Sequence, residues 1–329
     1  MADLRVGLIG LGSMGRHHAR LVRETPGLEL VAVADPGGDR FGVAGGLPVL
    51  DGVEQLIAVG LDVAVVAVPT SLHEEVAIPL AEAGVHTLIE KPIAGTVVAA
   101  ERVVEAFDKA GLVGAVGYVE RCNPALVEMR RRMGEGELGD IYQITTSRQG
   151  PFPARISDVG VVKDLATHDI DLTAWLAGAP YVMVSAQLAH ISGRPHEDMV
   201  VASGRLANGI IVNHVINWLS PRKERQTVVT GERGAFVADT GSGDLAFYAN
   251  GTLINEWEQL ASFRGVSEGD MRRFAFAKRE PLRMEHENFR DAVLTGDTSS
   301  IVTLVEGLDT LRVVEAMLAS AEDGGTVRL

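Results

Sequence analysis

The chain has few of the features that mark a secreted, disulfide-stabilised or membrane-spanning protein. Cysteine occurs once, as Cys122, so neither an internal disulfide nor a cysteine-built metal cluster can form. The longest apolar runs, such as 63–68, are of strand length and too short to cross a bilayer. No apolar export segment precedes the first strand-like run. We therefore expect a cytoplasmic protein with no membrane partner, in which Cys122 is a packing residue.

Positive charge is also scarce in this chain. Lys and Arg total 30 against 44 for Asp and Glu, which gives a formal net charge of -14. Such a balance opposes binding to a polyphosphate backbone, so we expect a small-molecule partner and no nucleic acid. Hydrophobic residues make up 46% and charged residues 22% of the 329 residues, which suits a globular protein of two domains with a core each.

A glycine-rich segment, residues 10–15, follows the first predicted strand and leads into a helix-like stretch. In a dinucleotide site the first glycine makes a tight turn, the second admits the pyrophosphate, and the third lets the helix pack on the strand. Asp35 ends the next strand about 20 residues further on, where an acid accepts from the ribose of NAD. An ordinary strand-turn-helix is the alternative. The predicted NAD contacts here are Gly10, Gly12, Ser13, Met14, Gly15 and Asp35.

Strands and helices alternate up to about residue 118, as in a parallel sheet covered on both faces. The predicted strands are 5–9, 28–34, 48–50, 63–68, 85–89 and 113–118, and the clearest helices are 74–83 and 97–110. A doubly wound sheet binds its ligand beyond the carboxyl ends of the strands. Residues at such ends include Gly10, Asp35, Pro69, Thr70, Glu90 and Lys91. One crevice could gather them.

The pattern changes after Pro124. The predicted elements are then a helix at 124–133, a strand at 140–148, a helix from about 161 to 176, strands at 181–190, 199–206, 210–218 and 226–230, and helices near 281–295 and 301–321. Strands that follow one another without helices favour an antiparallel sheet. We therefore predict an α/β chain with a Rossmann doubly wound parallel sheet over 1–122. An α+β domain with a largely antiparallel open sheet should follow over 123–329.

Three titratable residues recur at helical spacing in the segment 162–171. Asp164, His168 and Asp171 stand at i, i+4 and i+7 and would share one face of a regular helix. A histidine oriented by a carboxylate is a suitable general base for an alcohol. A solvated polar face is the usual explanation of such a pattern and stays open. Because hydride chemistry explains the cluster, we expect no metal site.

Lys91 and His73 have two interpretations each. Lys91 follows a strand and precedes Pro92, which restricts its conformation, so it is either a crevice residue beside a nicotinamide or a surface lysine. His73 stands at a predicted helix start, where it could touch the cofactor or simply pack. His17 and His18 are expected on the surface of the first helix.

Together these residues resemble the Gfo/Idh/MocA family of nicotinamide-dependent oxidoreductases over nearly the full chain. The resemblance rests on 10–17, on Pro69 with His73, on Glu90-Lys91-Pro92, on 164–171 and on 175–178. It implies that Lys91, Asp164 and His168 match the family's catalytic lysine, aspartate and histidine. His168 would be the base on a sugar or polyol hydroxyl, and Lys91 would polarise that oxygen or share its proton. The resemblance also implies an open sheet whose exposed face makes a homodimer or homotetramer.

A narrower similarity is to UDP-N-acetylglucosamine 3-dehydrogenases, at 118–124 and 148–161. It implies oxidation of a nucleotide sugar at the 3-hydroxyl, although Cys122 stands where phenylalanine is usual. The implied substrate contacts are Arg121, Asn123, Arg148, Arg155, Asp164 and His168. Arginine suits pyrophosphate oxygens, but these arginines could equally make structural ion pairs. An inositol or free-sugar dehydrogenase, a non-catalytic dinucleotide sensor and a hydrolase-like relative with bound NAD remain alternatives.

Overall fold

The computed structural model describes residues 2–153, 159–251 and 267–329. The chain divides into two compact units, Met1–Val119 with Glu280–Arg312, and Glu120–Arg279 with Val313–Leu329. Each unit contains one sheet. The predicted domain boundary between residues 122 and 123 stays a prediction. Across the described ranges, no helix combines the length and the apolar character that a membrane crossing needs.

The first unit contains a six-stranded sheet in the order β3-β2-β1-β4-β5-β6, and all neighbouring strands are parallel. The strands are β1 (Leu4–Ile9), β2 (Leu28–Ala34), β3 (Val49–Leu50), β4 (Val63–Val66), β5 (His86–Glu90) and β6 (Gly114–Gly117). The chain runs from β1 to one edge and then, from β4, to the other. This order confirms the predicted doubly wound sheet. The strand order changes direction between β1 and β4, and such a sheet has its ligand crevice beyond the carboxyl ends of the strands at that point.

Four helices connect these strands: α1 (Ser13–Glu24), α2 (Val53–Ala58), α3 (His73–Glu82) and α4 (Val97–Ala110). Local sequence determines the ends of α4. The Thr96 side chain accepts the Ala99 N–H at 3.2 Å at the start, and Gly111 ends the helix with φ +65°. Such local signals explain why the predicted bounds of α4 match the observed ones.

The second unit contains a sheet of nine described strands in the order β14-β13-β12-β11-β7-β10-β9-β8-β15. They are β7 (Ile141–Pro151), β8 (Tyr181–Ala189), β9 (Met199–Leu206), β10 (Ile211–Asn217), β11 (Leu219–Gly231), β12 (Gly234–Asp239), β13 (Asp244–Gly251), β14 (Ser267–Arg273) and β15 (Val327–Arg328). Neighbours are antiparallel except β7 and β10, which are parallel. The predicted largely antiparallel sheet is confirmed.

The remaining helices of the described ranges are α5 (Pro124–Gly134), α6 (Thr167–Ala177), α7 (Pro281–Thr295) and α8 (Leu304–Asp323). A π-helical turn, Val162–Ala166, directly precedes α6. The predicted helix from about 161 to 176 is thus observed, but its first turn is π-helical instead of α-helical. Helix α7 belongs to the first unit, where its Phe289 joins the apolar core that contains Leu8 and Val33.

Candidate active site

The three glycines of the loop between β1 and α1 have different surroundings. Gly10 has φ +95°, and a Cβ there would collide with the carbonyl oxygen of Ala67. A Cβ at Gly15 would collide with the carbonyl oxygen of Gly10. Around a Cβ at Gly12, by contrast, the described residues place no atom within 4 Å. Gly10 and Gly15 thus permit close packing, and Gly12 faces open space.

The open space at Gly12 lies at the N-terminus of α1, which begins at Ser13. Among the described residues no side chain caps this helix start. The first amides of a helix point outward and carry partial positive charge, so they attract phosphate groups. The glycine loop therefore fits the pyrophosphate of a dinucleotide.

Asp35 connects the end of β2 to the same loop. Its Oδ2 accepts the Leu11 N–H at 2.8 Å, and its Oδ1 accepts the Gly37 N–H at 2.8 Å. The two backbone donors fix the carboxylate beside the glycine loop. Contact with a ribose hydroxyl stays a prediction, and the observed position is consistent with it.

His73 connects the turn after β4 to the segment after β5. The turn Thr70–Leu72 is closed by the Leu72 N–H, which donates to the Pro69 carbonyl at 2.9 Å. His73 is buried, with Nδ1 2.9 Å from the Pro92 carbonyl oxygen and Nε2 3.1 Å from that of Val68. Burial lowers the pKa of His73, which favours a neutral ring. The packing interpretation accounts for these contacts, and cofactor contact by Pro69, Thr70 and His73 stays a prediction.

Lys91 follows β5 and is half-buried, and the Lys91–Pro92 peptide bond is cis. The preceding Glu90 side chain points into the first unit. Its Oε1 lies 2.8 Å from His18 Nε2, and its Oε2 accepts the Lys91 N–H at 3.1 Å. Burial alone would raise the pKa of Glu90, but the hydrogen bond with His18 and the charges of His18 and Lys91 bring it below its usual value. Glu90 is thus held as a carboxylate.

His18 is fully buried, so the prediction that it lies on the surface of the first helix was wrong. The neighbouring His17 is half-buried. The helical pattern of the sequence does not identify the partner of His18. That partner, Glu90, is 72 positions away in the sequence. Sequence reasoning missed the contact because no local pattern encodes it.

In the second unit, Asp164 lies in the π-helical turn and His168 lies in the first turn of α6. Asp164 is buried and His168 is half-buried. The start of the turn is fixed by Glu197, whose Oε1 accepts the Val162 N–H at 3.0 Å. Since a π-helical turn contains an extra residue, regular i, i+4 spacing does not describe this pair. π-Helical turns are frequent at functional sites.

The two acids that follow in α6 are engaged by arginines. Arg148 donates to Asp169 Oδ1 at 2.9 Å and to Glu120 Oε1 at 2.8 Å. Arg121 forms a bidentate pair with Asp171, at 2.9 and 2.5 Å. The Arg148 and Arg121 side chains are only 7% and 9% exposed. These are the structural ion pairs that the sequence left as an alternative to a pyrophosphate contact. Asp171 therefore belongs to an ion pair instead of a solvated face.

Asn123 has a structural role as well. Its Oδ1 accepts the Ala125 N–H at 3.1 Å at the start of α5, and its Nδ2 donates to the Thr240 carbonyl at 3.0 Å. Arg155 lies outside the described residues. Substrate contact by Asn123, Arg155, Arg121 and Arg148 stays a prediction.

Arg225 of β11 is a cationic residue that the sequence did not single out. It donates to the carbonyl oxygens of Gln149, at 2.6 Å, and Glu224, at 2.7 Å. Burial and the charge of Arg148 lower the pKa of Arg225, while Asp164 is among the acids that oppose the shift. Arg225 thus lies within electrostatic reach of Asp164. No sequence signal separates it from the neighbouring Arg222 and Lys223.

One kind of site is not observed. Within the described ranges, no group of three or more His, Cys, Asp or Glu side chains is arranged to hold a metal ion.

Two models of one protein family match the chain. Residues 4–118 match the Gfo/Idh/MocA model described as "Oxidoreductase family, NAD-binding Rossmann fold". Residues 130–329 match the model described as "Oxidoreductase family, C-terminal alpha/beta domain". The two matches together cover most of the chain, and each falls on one of the two kinds of sheet.

Individual relatives agree with these matches. The chain is 30% identical over 297 residues to UDP-N-acetylglucosamine 3-dehydrogenase of Acidithiobacillus ferrooxidans, across 89% of this chain and 90% of that protein. It is 28% identical over 345 residues to scyllo-inositol 2-dehydrogenase (NAD(+)) of Bacillus subtilis, across 99% and 96%. The solved structure of UDP-N-acetylglucosamine 3-dehydrogenase GnnA from Acidithiobacillus ferrooxidans superimposes with a TM-score of 0.83 at 27% identity, covering 98% of this chain and 99% of that one.

Proposed function

Because the chain belongs to the Gfo/Idh/MocA family of NAD-binding oxidoreductases, we propose that its substrate is a nucleotide sugar oxidised at a secondary alcohol. The chain is an NAD-dependent dehydrogenase of the sugar and polyol type. UDP-N-acetylglucosamine, oxidised at the 3-hydroxyl, is our first candidate. The similarity to the Acidithiobacillus enzyme supports this choice.

The observation that carries the dehydrogenase chemistry is the open space at Gly12. It lies at the N-terminus of α1, and Asp35 is fixed beside the same loop by the Leu11 and Gly37 amides. A Cβ at position 12 would enter that space and would meet a pyrophosphate bound there, although no described protein atom opposes it. When bound, NAD accepts a hydride from the carbon of the alcohol.

The proposed catalytic residues are Lys91, Asp164 and His168. His168 takes the hydroxyl proton, so that the hydride and the proton leave the substrate together and a ketone remains. Lys91 donates a hydrogen bond to the reacting oxygen and stabilises the charge that develops on it. Asp164, buried one turn before His168, is the carboxylate that orients the imidazole for this proton transfer.

A free polyol such as an inositol is the second candidate substrate. The observation that favours it is the pairing of Arg148 and Arg121 with Glu120, Asp169 and Asp171. Guanidinium groups that are already neutralised by carboxylates are weak partners for a pyrophosphate. The similarity to scyllo-inositol 2-dehydrogenase supports this candidate equally.

The experiment that tests these proposals measures NAD reduction with UDP-N-acetylglucosamine, other UDP-sugars, free N-acetylglucosamine, myo-inositol and scyllo-inositol at matched concentrations. We expect the highest kcat/KM with a UDP-sugar. Faster turnover of a free polyol than of every nucleotide sugar would select the second candidate.

The proposed catalytic roles are tested with Lys91→Ala and His168→Ala. Each should lower kcat by about 100- to 10,000-fold and leave the NADH dissociation constant, measured by fluorescence, nearly unchanged. Lys109→Ala is the matched control, since Lys109 is an exposed lysine paired with Glu105 on α4. Near-normal kcat in a folded Lys91 or His168 variant would contradict its role.

We also propose that the protein forms a homodimer or homotetramer through the exposed face of the nine-stranded sheet. Val201 of β9 and Val215 of β10 are direct cross-strand neighbours and are 44% and 36% exposed. The adjacent Val200 and Ile216 are fully buried on the other face. Analytical ultracentrifugation should therefore give an oligomer that Val201→Glu weakens. Val98→Glu, at an exposed valine of α4, should leave it intact; a monomeric wild-type protein would contradict the proposal.

A further inference from the structure

Four titratable side chains form a buried row inside the first unit, behind the Glu90-Lys91 segment. They are His18 of α1, Glu90 of β5, and Glu285 and His286 of α7, all at most 9% exposed. His18 Nε2 lies 2.8 Å from Glu90 Oε1, and His18 Nδ1 lies 2.9 Å from His286 Nε2. We call His18 and His286 the inner histidine pair. The mechanism proposed above does not use it.

The geometry of the inner histidine pair limits its charge. Only one hydrogen can lie between His18 Nδ1 and His286 Nε2, so both rings cannot be imidazolium ions at once. Burial and the charge of His18 hold the pKa of His286 well below its usual value. A neutral His286 and a His18 that donates from Nε2 to Glu90 satisfy this limit.

The two buried acids differ in their partners. Glu90 faces His18 and the Lys91 amide, whereas burial and the charge of Glu90 raise the pKa of Glu285 well above its usual value. Glu285 is therefore the protonated acid and Glu90 the carboxylate of the row. The charged or titratable groups that interact with Glu90 are His18 and Glu285 of the row, with Lys91 and with His73 of α3; His286 faces His18.

Glu90 links this row to Lys91 in two ways. Its Oε2 accepts the Lys91 backbone N–H at 3.1 Å, and its charge interacts with the Lys91 ammonium. Removal of the negative charge would take away this electrostatic interaction with the ammonium. Glu90 therefore connects a change at His18 to Lys91.

We propose that His18 and His286 are positioning residues for Lys91. The inner histidine pair holds the Glu90 carboxylate ionised and fixed, and Glu90 then fixes the Lys91 backbone and places a negative charge near its side chain. The inference rests on the proposed role of Lys91 in the reaction.

The first test compares pH–rate profiles of the full-length enzyme with NAD. His18→Ala leaves Glu90 without its donor, so kcat should fall roughly 10- to 100-fold, as when other groups that orient a reacting side chain are removed. One limb of the pH–rate profile should move to lower pH. Glu90→Gln, a neutral isostere, should move that limb in the same direction. His18→Gln keeps an amide donor to Glu90 and should restore much of the kcat and the wild-type limb.

The second test does not depend on turnover. Ring ¹⁵N NMR of histidine-labelled protein, assigned with His18→Gln and His286→Gln, should show a bare ring nitrogen on His286 at about pH 6, where an exposed histidine is largely protonated. Glu90→Gln should change the His18 signal. His17→Gln, on the same helix but outside the row, should change neither the signals of the pair nor the pH–rate profile.

The possible results separate this inference from the proposed function. Suppose that Lys91→Ala loses turnover while His18→Ala and Glu90→Gln keep the wild-type kcat and the wild-type pH–rate profile. The positioning role of His18 and His286 is then overturned, and the role of Lys91 stands. If Lys91→Ala keeps normal turnover, the proposed role of Lys91 fails, and the positioning role fails with it. An imidazolium at His286 at about pH 6 would overturn the proton arrangement in either case.

Discussion

Two glycines of the glycine loop, Gly12 and Gly15, should respond differently to substitution by alanine. At Gly12 the new methyl group would enter open space, so we expect the free energy of unfolding to change by no more than about 0.5 kcal/mol. The dissociation constant for NAD should rise at least about tenfold, since the methyl group occupies space that fits the pyrophosphate. At Gly15 the methyl group would collide with the Gly10 carbonyl oxygen. That overpacking should cost about 1–3 kcal/mol of stability.

Urea unfolding without cofactor and calorimetric titration with NAD distinguish the two glycine variants. Gly95→Ala is a suitable control, because an added Cβ there also has no described atom within 4 Å and Gly95 lies outside the loop. Unchanged NAD affinity in Gly12→Ala would show that the open space is not part of the cofactor site.

A second residue-scale prediction concerns the choice of cofactor. The Asp35 carboxylate can accept from a ribose 2′-hydroxyl but repels a 2′-phosphate, so kcat/KM should be higher with NAD than with NADP. Asp35→Asn keeps an acceptor for the Leu11 amide and removes the charge. This variant should bring the ratio of kcat/KM with NAD to kcat/KM with NADP closer to one. Steady-state rates with both cofactors measure this. A wild-type ratio at or below one would refute the assignment. The next residue to test would then be Arg40, a cationic residue shortly after Asp35 in the sequence.

At the scale of helices and strands, the ion pair between Arg148 of β7 and Asp169 of α6 holds the helix that carries His168. Its side chains are 7% and 2% exposed, and its N–O distance is 2.9 Å. Breaking a buried pair leaves an uncompensated charge, so Arg148→Ala and Asp169→Ala should each lower the free energy of unfolding by about 3–5 kcal/mol. The double variant should cost less than the sum, because Asp169 is then not left without a partner; Glu120 still loses its contact with Arg148 and keeps part of the cost.

The matched control is the pair between Arg312 and Glu101, which has the same 2.9 Å distance but side chains 45% and 48% exposed. Its removal should cost about 0–1 kcal/mol. Equal losses for the two pairs in a double-mutant cycle would mean that burial does not determine the strength of the Arg148 pair.

At the scale of the whole molecule, a buried histidine makes unfolding depend on pH. His214 lies in the sheet of the second unit, with Nδ1 2.8 Å from Thr146 Oγ1 and Nε2 2.9 Å from the Tyr181 hydroxyl. Burial lowers the pKa of His214 from 6.5 to about 4. Between these two values the unfolded chain binds a proton that the folded chain does not, so stability falls as the pH falls through this window.

When the pH is lowered from about 7.5 to about 5, the titration of this histidine should lower the free energy of unfolding by about 2 kcal/mol. His214→Gln cannot titrate and should reduce the pH dependence by that amount, whatever its effect on stability at neutral pH. Urea unfolding at both pH values provides the measurement, with the exposed His190→Gln as control. An unchanged pH dependence in His214→Gln would assign the titration to other groups.

The sequence predicted features whose signals are local. The apolar runs, the turn glycines and the order of strands and helices determine the doubly wound sheet and the bounds of α4, because backbone propensity and side-chain period act over a few residues. The same signals missed β12 to β15. β12 and β13 are short apolar runs without alternating polar positions, β14 is rich in charged residues and β15 has only two residues, so none has a clear strand pattern. Pairing with neighbouring strands stabilises them.

By itself, the sequence determined the family of this protein, its NAD-binding fold and the positions of the glycine loop, Asp35 and Lys91 in the chain. Only the tertiary structure decided that His18 is buried against Glu90 and His286, that Arg148 and Arg121 pair with acids of α6, and that a π-helical turn contains Asp164. The physical reason is that a charged or titratable side chain takes its state from its neighbours in space. In this protein those neighbours come from segments up to 268 residues apart.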